Sequence, residues 1–574
     1  MSAVCRVGIA LVVLMSAAFP EFDAIAGTPG TGRANATRSV VYAAHGMVAC
    51  AQPLAAQAGL EVLKSGGSAV DAAIAVNACL GLMEPTSNGI GGDLFAIVWD
   101  PSTKRLYGLN ACGRSPLHLT ADRIPPDPKD GTIPLYSPYA WSVPGCVDGW
   151  SELQHRFGRH PLADDLAPAI RFAEEGFPLS PVIASDWARS AVRNVDKPGF
   201  NAVFMPGGRA PAEGEIFRNP ALARSLKLIA EQGRDAYYKG PIAKEFVRYS
   251  QEVGGFFTLE DFAKHRSEWV DPVSTDYRGY TVWELPPPGQ GIAALQLLNI
   301  LENFDLKRMG RESADFWHVM TEAKKLVFAD RARYYADPDF AKVPVAELIG
   351  KPYAKQRAAL IDMAKAATTD LPGDPPALNR RETTYFCVAD ANGMMVSMIQ
   401  SNYTGFGSGY AIPALGFGIQ NRGNLFDLKP GRPNSYAPGK RPFHTIIPAF
   451  MTKDGAPVMA FGLMGGDMQP QGHAQIVVNL VDFGMNLQEA GDVARFHHSG
   501  SSEPTGTVMT DGGILHLEAG VPDSVLAELR RRGHRIEPEA VGNYGGYQAI
   551  WRDPRTGVYS GATERRKDGC AIGY

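Results

Sequence analysis

The sequence of 574 residues predicts a mixed α/β (α+β) fold. Three observations support this prediction. Capped helical patterns dominate the first two thirds of the chain, short β-branched and apolar runs dominate the part that begins at Thr383, and the proline-rich stretch "DLPGDPPALNRRE" separates the two. A chain of this length is longer than one simple hydrophobic core accommodates, so we expect either several domains or one large layered domain.

The N-terminus has the features of a secretory signal. Arg6 precedes the apolar run "VGIALVVLMSAAF", and "AIA" at residues 24–26 has the small-x-small form of a signal peptidase site. We therefore predict a signal peptide over residues 1–26, a mature chain from about Gly27, and a secreted or periplasmic protein; an uncleaved anchor is the alternative. No later apolar run reaches the roughly 18 residues of a membrane span, so we expect no membrane attachment once the signal is removed.

The composition excludes some classes of function. The net charge of −4 and the 20% of charged residues provide no basic surface for a nucleic-acid partner. No C-x-x-C or H-E-x-x-H motif occurs, and the pair His497-His498 has no third ligand at a metal spacing. We expect no metal and no organic cofactor. The six cysteines after the signal sit in separate, often apolar contexts and are predicted to be mostly buried free thiols: Cys50, Cys79, Cys112, Cys146, Cys387 and Cys570.

Two helices are predicted first along the chain. "PLAAQAGLEVLKSGG" carries a proline at its first turn, at Pro53, and stops at a glycine pair. Ser68 and Asp71 then form an S-x-x-D cap. The following "AVDAAIAVNACLGL" is apolar nearly all round, which is typical of a helix enclosed between layers.

A glycine-rich turn and a strand follow in "EPTSNGIGGDLFAIVWD". Its spacing fits neither phosphate-loop motif, so we interpret the glycines as a tight backbone approach. Later helices are predicted at "LARSLKLIAEQGRDAYYKG" and "ADFWHVMTEAKKLVFADRARYYADPDF". Strands are predicted at "TYFCVAD", "MMVSMIQSN", "HTIIPAFMT" and "PVMAFGLMGG".

Thr383 is the candidate nucleophile. No G-x-S-x-G elbow exists, but a threonine that becomes an N-terminus can use its own α-amino group as the base. That chemistry needs a threonine at a strand start behind a loop that can be cut, and "RRETTYFCVAD" meets both conditions. The alternative from the residues alone is an ordinary β-branched strand start.

Long motifs in a fixed order resemble one enzyme family. "TTYFCVAD", "RPFHTIIPAF", "GLMGGDMQPQGH" and "ARFHH" are similar to the small subunit of the γ-glutamyltransferase family, whose nucleophile motif is T-T-H-x-S-V-x-D. "GMVACAQPLAAQAGLEVLKSGGSAVDAAIAV", "LPPPGQGIAALQLLNIL" and "FADRARYYADPDFAKVP" resemble its large subunit. The resemblance runs from about Gly46 to the C-terminus. It implies a proenzyme of the N-terminal-nucleophile hydrolase type, with one four-layer αββα sandwich shared by a helix-rich large subunit (27–382) and a strand-rich small subunit (383–574) that form a heterodimer.

The resemblance also implies roles for individual residues. Thr383 is the nucleophile and the new N-terminus, and Glu382-Thr383 is the bond that is broken. The backbone N–H groups of Gly465 and Gly466 match the pair that stabilises the oxyanion. Ser401 falls where the family has a second threonine that orients the nucleophile, and it keeps the hydroxyl.

The residues that hold a glutamyl substrate in the family differ here. Tyr403 stands in place of an asparagine, and Arg422 and Leu425 stand where an amide or acid and an aspartate hold the α-amino group. His444 and Thr445 replace a Ser-Ser pair beside the α-carboxylate. A pocket for an ammonium group needs a carboxylate, which Leu425 does not supply.

This pattern is closer to a divergent branch of the family that includes oxamate amidohydrolase and the glutaryl cephalosporin acylases. The resemblance to that branch implies a role for Arg422, His444 and the displaced Arg114 in pairing with a carboxylate or an oxamate-like anion. The alternative for each of the three is an ion pair within the protein.

The leading functional hypothesis is an amide-hydrolysing enzyme with a small-molecule substrate. Glutathione or another γ-glutamyl compound is the conventional substrate for the family, and an acidic amide such as oxamate or a glutaryl amide is the close rival. A non-catalytic relative that keeps the fold for binding is the second alternative.

Overall fold

The computed structural model describes residues 36–369, 383–538 and 541–574. The predicted signal peptide, the predicted start at Gly27 and Glu382 lie outside the described residues.

The described ranges contain strands in both parts of the chain. The strands are β1 (Val41–Ala43), β2 (Met47–Cys50), β3 (Asp93–Asp100), β4 (Arg105–Ala111), β5 (Phe177–Pro178), β6 (Ile216–Phe217), β7 (Glu268–Val270), β8 (Val273–Tyr277), β9 (Tyr280–Glu284), β10 (Thr384–Ala389), β11 (Met395–Ser401), β12 (Ala411–Ile412), β13 (Phe417–Gly418), β14 (Ala449–Lys453), β15 (Ala456–Met464), β16 (Phe496–Ser499), β17 (Ile514–Leu517), β18 (Gly546–Arg552), β19 (Tyr559–Thr563) and β20 (Cys570–Gly573).

The α-helices are also distributed over both parts. They are α1 (Pro53–Lys64), α2 (Ala69–Met83), α3 (Cys146–Phe157), α4 (Leu162–Glu175), α5 (Pro181–Ala191), α6 (Phe200–Phe204), α7 (Pro220–Gln232), α8 (Arg234–Tyr238), α9 (Pro241–Glu252), α10 (Leu259–Lys264), α11 (Gly291–Leu301), α12 (Leu306–Met309), α13 (Ala314–Tyr334), α14 (Val345–Leu348), α15 (Lys351–Ala358), α16 (Met468–Val481), α17 (Leu487–Asp492) and α18 (Asp523–Arg531).

Two seven-stranded antiparallel sheets form the centre of the molecule. Sheet 1 has the order β1-β19-β18-β15-β14-β9-β8, and sheet 2 has the order β20-β2-β10-β11-β3-β4-β7. The sheets face each other across an apolar layer that includes Phe95, Tyr385, Phe450 and Ile550. Gly462 in sheet 1 leaves room for the ring of Tyr385 in sheet 2, because a Cβ there would lie 2.5 Å from the ring.

Helices cover the outer face of each sheet. The helices α1 and α2 pack on sheet 2, and α11 and α16 pack on sheet 1, with α13 packed on α11. Each outer layer buries its own apolar cluster against its sheet. The four layers therefore follow the order helix, sheet, sheet, helix, and the αββα sandwich implied by the sequence resemblance is confirmed.

The first predicted elements form as expected. The helix α1 begins at Pro53, and α2 begins after Ser68, whose side chain and that of Asp71 form a reciprocal capping box. All but one residue of α2 are buried, as the unbroken apolar pattern indicated.

The division into a helix-rich and a strand-rich part is only approximate. The last third also contains the 14-residue helix α16, and strands from before residue 370 complete both sheets. The structure shows all six described cysteines as free thiols, five of them buried, which agrees with the sequence analysis. Among the described residues, no helix combines the length and the apolar character needed to cross a bilayer.

Candidate active site

Thr383 lies beside Ser401 because of the register of two neighbouring strands. The strand β10 begins at Thr384, directly after Thr383, and pairs antiparallel with β11 so that Thr384 lies opposite Gln400. Ser401 is the last residue of β11. Thr383 Oγ1 donates a long hydrogen bond of 3.4 Å to Ser401 Oγ, and both side chains are buried.

Arg422 extends this contact to Thr445. It begins the short 3-10 helix Arg422–Leu425 and is fully buried. Its Nη2 donates to Ser401 Oγ at 2.9 Å, and its Nη1 donates to Thr445 Oγ1 at 2.7 Å. The structure therefore brings a permanent positive charge to the hydroxyl that contacts Thr383.

Tyr403 also belongs to this group. Its backbone N–H donates to Ser401 Oγ at 2.8 Å, and its ring centre lies 4.7 Å from the Arg422 guanidinium carbon. The residue adopts a φ of +83°, a left-handed conformation that is uncommon for a bulky side chain. This conformation lets the chain turn immediately after β11 so that both the N–H and the ring of Tyr403 face the site.

Gly465 and Gly466 form the turn between β15 and α16. Their φ values are +117° and +59°, which glycine adopts at little cost. Their carbonyls accept from the first N–H groups of α16, Met468 to Gly465 at 3.0 Å and Gln469 to Gly466 at 3.1 Å. Within the part of the chain that the structure describes, neither glycine N–H donates to another residue, so both donors are available to an oxyanion.

Gln290 links this turn to Thr445, and the sequence analysis did not identify it. Its Nε2 donates to the carbonyl of Thr445 at 2.7 Å and to the carbonyl of Gly466 at 2.8 Å. Contacts thus run without a break from Thr383 through Ser401 and Arg422 to Thr445, Gln290 and Gly466. The only sequence signal was a polar residue in the "PPPGQG" turn before an apolar helix.

His444 is held by Asp93 rather than directed at Thr383. Its Nδ1 accepts from the Ile446 N–H at 3.3 Å, so its Nε2 carries the proton and donates to Asp93 Oδ2 at 3.1 Å. Burial, together with the charge of Arg422, lowers the pKa of His444 to about 4, so the imidazole is neutral at pH 7. A contact between His444 and a substrate anion stays a prediction.

Asp93 is an anion held by several donors. The N–H groups of Gly113 and Gly145 and the Gln420 amide donate to its Oδ1 at 2.9 to 3.2 Å. Burial opposes its ionisation, but the hydrogen bond from His444 and the charge of Arg422 outweigh burial and lower the pKa of Asp93. Asp93 thus balances the positive charge of Arg422 inside the site.

Arg114 forms the ion pairs that the sequence analysis gave as its alternative. Its guanidinium contacts Asp339 at 2.7 Å and Asp337 at 3.3 Å, and it donates to the carbonyl of Gly439 at 3.1 Å. Its side chain is partly exposed, and these bonds lie outside the set of contacts that starts at Thr383. Direct substrate binding by Arg114 remains a prediction.

The second threonine of the pair, Thr384, has a different role from the first. Its Oγ1 donates to Glu84 Oε2 at 2.7 Å. Burial raises the pKa of Glu84 to about 7. The predicted tight approach of the loop after Glu84 is confirmed, because a Cβ on Gly91 would lie 1.9 Å from the Gly418 carbonyl oxygen.

One group of metal-ligand type lies beside the site, formed by Asp93, Cys112 and His444. The proton on His444 Nε2 faces Asp93, and the Cys112 thiol donates to the Gly113 carbonyl at 3.6 Å. The three side chains therefore form hydrogen bonds with each other and with the backbone. In this arrangement their ligand atoms do not fit a metal ion.

Comparisons with known proteins agree with this geometry. The profile of the family described as gamma-glutamyltranspeptidase matches residues 55–574. The chain is 38% identical over 537 residues to the Glutathione hydrolase-like YwrD proenzyme of Bacillus subtilis (strain 168), covering 92% of this chain and 98% of that protein. It is 38% identical over 553 residues to the Acylase ACY 1 proenzyme of Pseudomonas sp. (strain SE83), covering 92% and 93%.

A solved structure is similar as well. The crystal structure of cephalosporin acylase from Bacillus halodurans superposes with a TM-score of 0.86 and 43% sequence identity, over 94% of this chain and 97% of that chain. The sequence motifs, the four layers and these matches over nearly the full length agree. The chain belongs to the gamma-glutamyltranspeptidase family.

Proposed function

We propose that this protein is a proenzyme that cuts its own backbone before Thr383 and then hydrolyses a small acidic amide through an acyl-threonine intermediate. The observation that carries the proposal is the position of the Thr383 hydroxyl, at the start of an internal strand and in contact with Ser401, which Arg422 holds in turn. The resulting fragments are residues 27–382 and 383–574, and they remain together as a heterodimer.

Processing uses the same hydroxyl as catalysis. Thr383 Oγ1 attacks the carbonyl carbon of Glu382, the C–N bond to Thr383 breaks, and the acyl group moves from nitrogen to oxygen. Water then hydrolyses this ester, which yields the carboxylate of Glu382 and the free hydroxyl and α-amino group of Thr383.

The mature site then acts on substrate. The α-amino group of Thr383 takes the proton of its own hydroxyl as Oγ1 attacks the amide carbonyl, and the N–H groups of Gly465 and Gly466 stabilise the oxyanion. The amine leaves with that proton, and water hydrolyses the acyl-threonine ester to release the acid. Since the base and the oxyanion donors are both protein groups, we propose that the reaction needs no metal or cofactor.

The charges of the site favour an acidic acyl group. Arg422 is a buried cation two contacts from Thr383, and its planar fork matches a carboxylate or an oxamate-like anion. Leu425, at the other end of the same short helix, is fully buried among apolar residues. An acyl group with a carboxylate and no ammonium group, such as a glutaryl or oxamyl group, therefore suits the pocket best.

Hydrolysis of glutathione or another γ-glutamyl compound is the second candidate. The observation that favours it is the similarity over nearly the whole chain to a protein described as glutathione hydrolase-like. The two candidates share the nucleophile and differ in what holds the acyl group.

The predicted signal sequence places this reaction outside the cytoplasm in our proposal. The apolar run after Arg6 and the "AIA" site support export to the periplasm or the medium. N-terminal sequencing of the large fragment purified from its native host tests this, and a fragment that still begins at Met1 would contradict it.

Replacing the nucleophile tests the processing step. We expect Thr383→Ala to remain one uncut chain on a denaturing gel, because the attacking hydroxyl is gone. The matched variant Thr383→Ser keeps a hydroxyl and should still give two fragments, more slowly. Cleavage of Thr383→Ala at this bond would show that another protease does the work.

Side-by-side kinetics with glutaryl amides, oxamate and glutathione test the substrate class. We expect the higher kcat/KM for a substrate without an α-amino group, by roughly two orders of magnitude. A higher kcat/KM for glutathione would instead assign the second candidate function. Activity lost on dialysis against a chelator and restored by a divalent ion would contradict the proposed absence of a metal.

A further inference from the structure

Gln290 makes an unusual set of contacts for a residue that performs no chemistry. It directly precedes α11, and its side chain is fully buried. Its Nε2 donates to two backbone carbonyls, those of Thr445 at 2.7 Å and Gly466 at 2.8 Å. Its Oε1 accepts a hydrogen bond from Arg331 Nη1.

Arg331 fixes the orientation of this amide. A guanidinium only donates hydrogen bonds, so the oxygen of Gln290 must face Arg331 and the nitrogen must face the carbonyls. Arg331 is itself fully buried in α13, pairs with Glu503 at 2.6 Å and with Asp467 at 3.5 Å, and lies 3.6 Å from the centre of the Phe328 ring. The amide therefore has one stable orientation rather than two.

The Gly465-Gly466 turn needs such a constraint. Two successive glycines with positive φ have wide conformational freedom, and the direction of their N–H groups depends on two peptide planes. The plane that carries the Gly466 N–H also carries the Gly465 carbonyl, which accepts from Met468. The next plane carries the Gly466 carbonyl, which accepts from Gln469 and Gln290, so Gln290 holds the C-terminal side of the turn and acts on the N–H groups through it. The same nitrogen of Gln290 fixes the carbonyl of Thr445, whose hydroxyl accepts from Arg422.

We propose that Gln290 is a positioning residue for the oxyanion turn and that Arg331 orients it. The inference rests on the proposed function, in which the N–H groups of Gly465 and Gly466 stabilise the tetrahedral intermediate. Gln290 holds the turn and the Arg422–Thr445 pair at a fixed separation, so the donors and the nucleophile meet the same carbonyl.

This contact crosses between the two proposed fragments. Gln290 and Arg331 precede the proposed cut, whereas Thr445, Gly466 and Glu503 follow it. The large fragment, which supplies no catalytic residue in our proposal, thus sets the geometry of the oxyanion site in the small fragment.

Two substitutions separate positioning from simple stability. Gln290→Met keeps the length of the side chain and removes all three bonds, and Gln290→Glu keeps an acceptor for Arg331 and removes both donors. The matched control is Gln296→Met in α11, since Gln296 is equally a buried glutamine with two side-chain partners, Asp330 and Tyr335, away from the site. All three are expressed as the full precursor and compared after processing.

The measurements are kcat per titrated Thr383 N-terminus, KM, the melting temperature and the affinity for a boronate that forms a tetrahedral adduct. We expect both Gln290 variants to lose about ten- to hundredfold in kcat and in boronate affinity, with KM within about twofold, because donors that only meet the oxyanion act in the transition state. Slower appearance of the two fragments at an unchanged melting temperature would support the same role. Gln296→Met should lower the melting temperature and leave kcat within about twofold.

Two outcomes would overturn the inference. The first is a kcat and a boronate affinity that stay at the wild-type level in both Gln290 variants. The second is an equal loss of kcat in Gln296→Met, which would make the effect a general loss of packing. A wild-type protein that is neither cut nor active contradicts the proposed function itself, so the two failures are distinguishable.

Discussion

At the scale of single residues, we propose that the charge beside Thr383 determines which acyl groups the site accommodates. Arg422 contacts Ser401 directly, whereas Leu425 offers only apolar surface. The ammonium group of a γ-glutamyl substrate would meet a cation and lose its water without gaining a carboxylate. Such burial costs roughly a few kcal/mol.

Leu425→Asp tests this argument. The new carboxylate should raise the ratio of kcat/KM for glutathione to kcat/KM for a glutaryl amide by about tenfold or more, since it can pair with the ammonium group. Leu425→Asn is the control for shape and polarity without charge. A ratio that stays unchanged in the aspartate variant, at intact processing, would mean that this position does not contact the acyl group.

Single residues also show which parts of the candidate site could be predicted from the sequence. The proposed roles of Thr383, Ser401 and the glycine pair follow from their residue types, and the order of the motifs was enough to identify them as candidates. Gln290 has no such signature, because its proposed role depends on carbonyls 155 and 176 residues further along the chain. Backbone partners at that distance are defined by the fold and not by any local pattern.

At the scale of elements, the glycine loop after α2 holds the end of β11. A Cβ on Gly92 would lie 2.4 Å from the Ser401 carbonyl oxygen, closer than any real contact. The loop therefore packs backbone to backbone against Ser401, the residue that contacts the proposed nucleophile.

Gly92→Ala should consequently displace Ser401 and reduce both processing and turnover by about tenfold or more, because a sub-ångström shift at a reacting hydroxyl is costly. Gly131→Ala is the control: Gly131 has a φ of +74° and open space around it, so the substitution strains the backbone without touching the site. Fragment yield over time and kcat are the measurements. Normal activity in Gly92→Ala would contradict the proposal that this loop holds Ser401 in its active position.

The contact between α2 and α4 makes stability depend on pH. Burial and the charge of Asp71 raise the pKa of Asp165, in α4, to about 8. The unfolded chain releases this proton near pH 4, so the folded state binds more protons between about pH 4 and 8 and its stability falls as pH rises through this window.

Asp165→Asn should remove the loss of folding stability between about pH 4 and 8. An amide stays neutral and can donate to Asp71, so we expect the variant to gain on the order of 1–2 kcal/mol over wild type at pH 8 and little at pH 4. Asp164→Asn, at the exposed neighbouring position, should show no such dependence. Denaturant unfolding across this range measures the effect, and parallel curves for wild type and Asp165→Asn would contradict it.

Elements differ in how well the sequence predicts them, for physical reasons. The helices α1 and α2 carry their own start and stop signals, so local chemistry defines them. The helix α16 lies under sheet 1 with nearly all its residues buried, and glycine and proline interrupt its pattern, so no helical period stands out. The pairing of strands into two sheets depends on contacts between distant segments and was supplied only by the family resemblance.

At the scale of the whole molecule, the two proposed fragments interleave within both sheets. Strands from before and after the proposed cut pair directly at β1–β19, β9–β14, β2–β20, β2–β10 and β3–β11. Each of these pairings joins the proposed fragments by backbone hydrogen bonds within a sheet.

We therefore expect the cut protein to behave as one particle. On size-exclusion chromatography, processed wild type and uncut Thr383→Ala should elute at the same volume, and a denaturing gel of the wild-type peak should show both fragments in equal amounts. Separation of the fragments in native buffer would contradict this expectation.

The interleaving of the two proposed fragments also implies an order for the proposed maturation, with folding before cleavage. The strand β10 lies between β2 and β11, and its pairing with β11 places Thr383 beside Ser401. Under the proposed processing, we therefore expect the chain to fold while it is still continuous and to cut itself only once it is folded. Once cut, neither piece holds a complete sheet, and reassembly becomes a second-order encounter of two aggregation-prone chains. After denaturation, we expect most of the uncut Thr383→Ala protein to refold and little of the mature enzyme to do so. The stability of the mature enzyme is then kinetic, because it depends on the rate of unfolding.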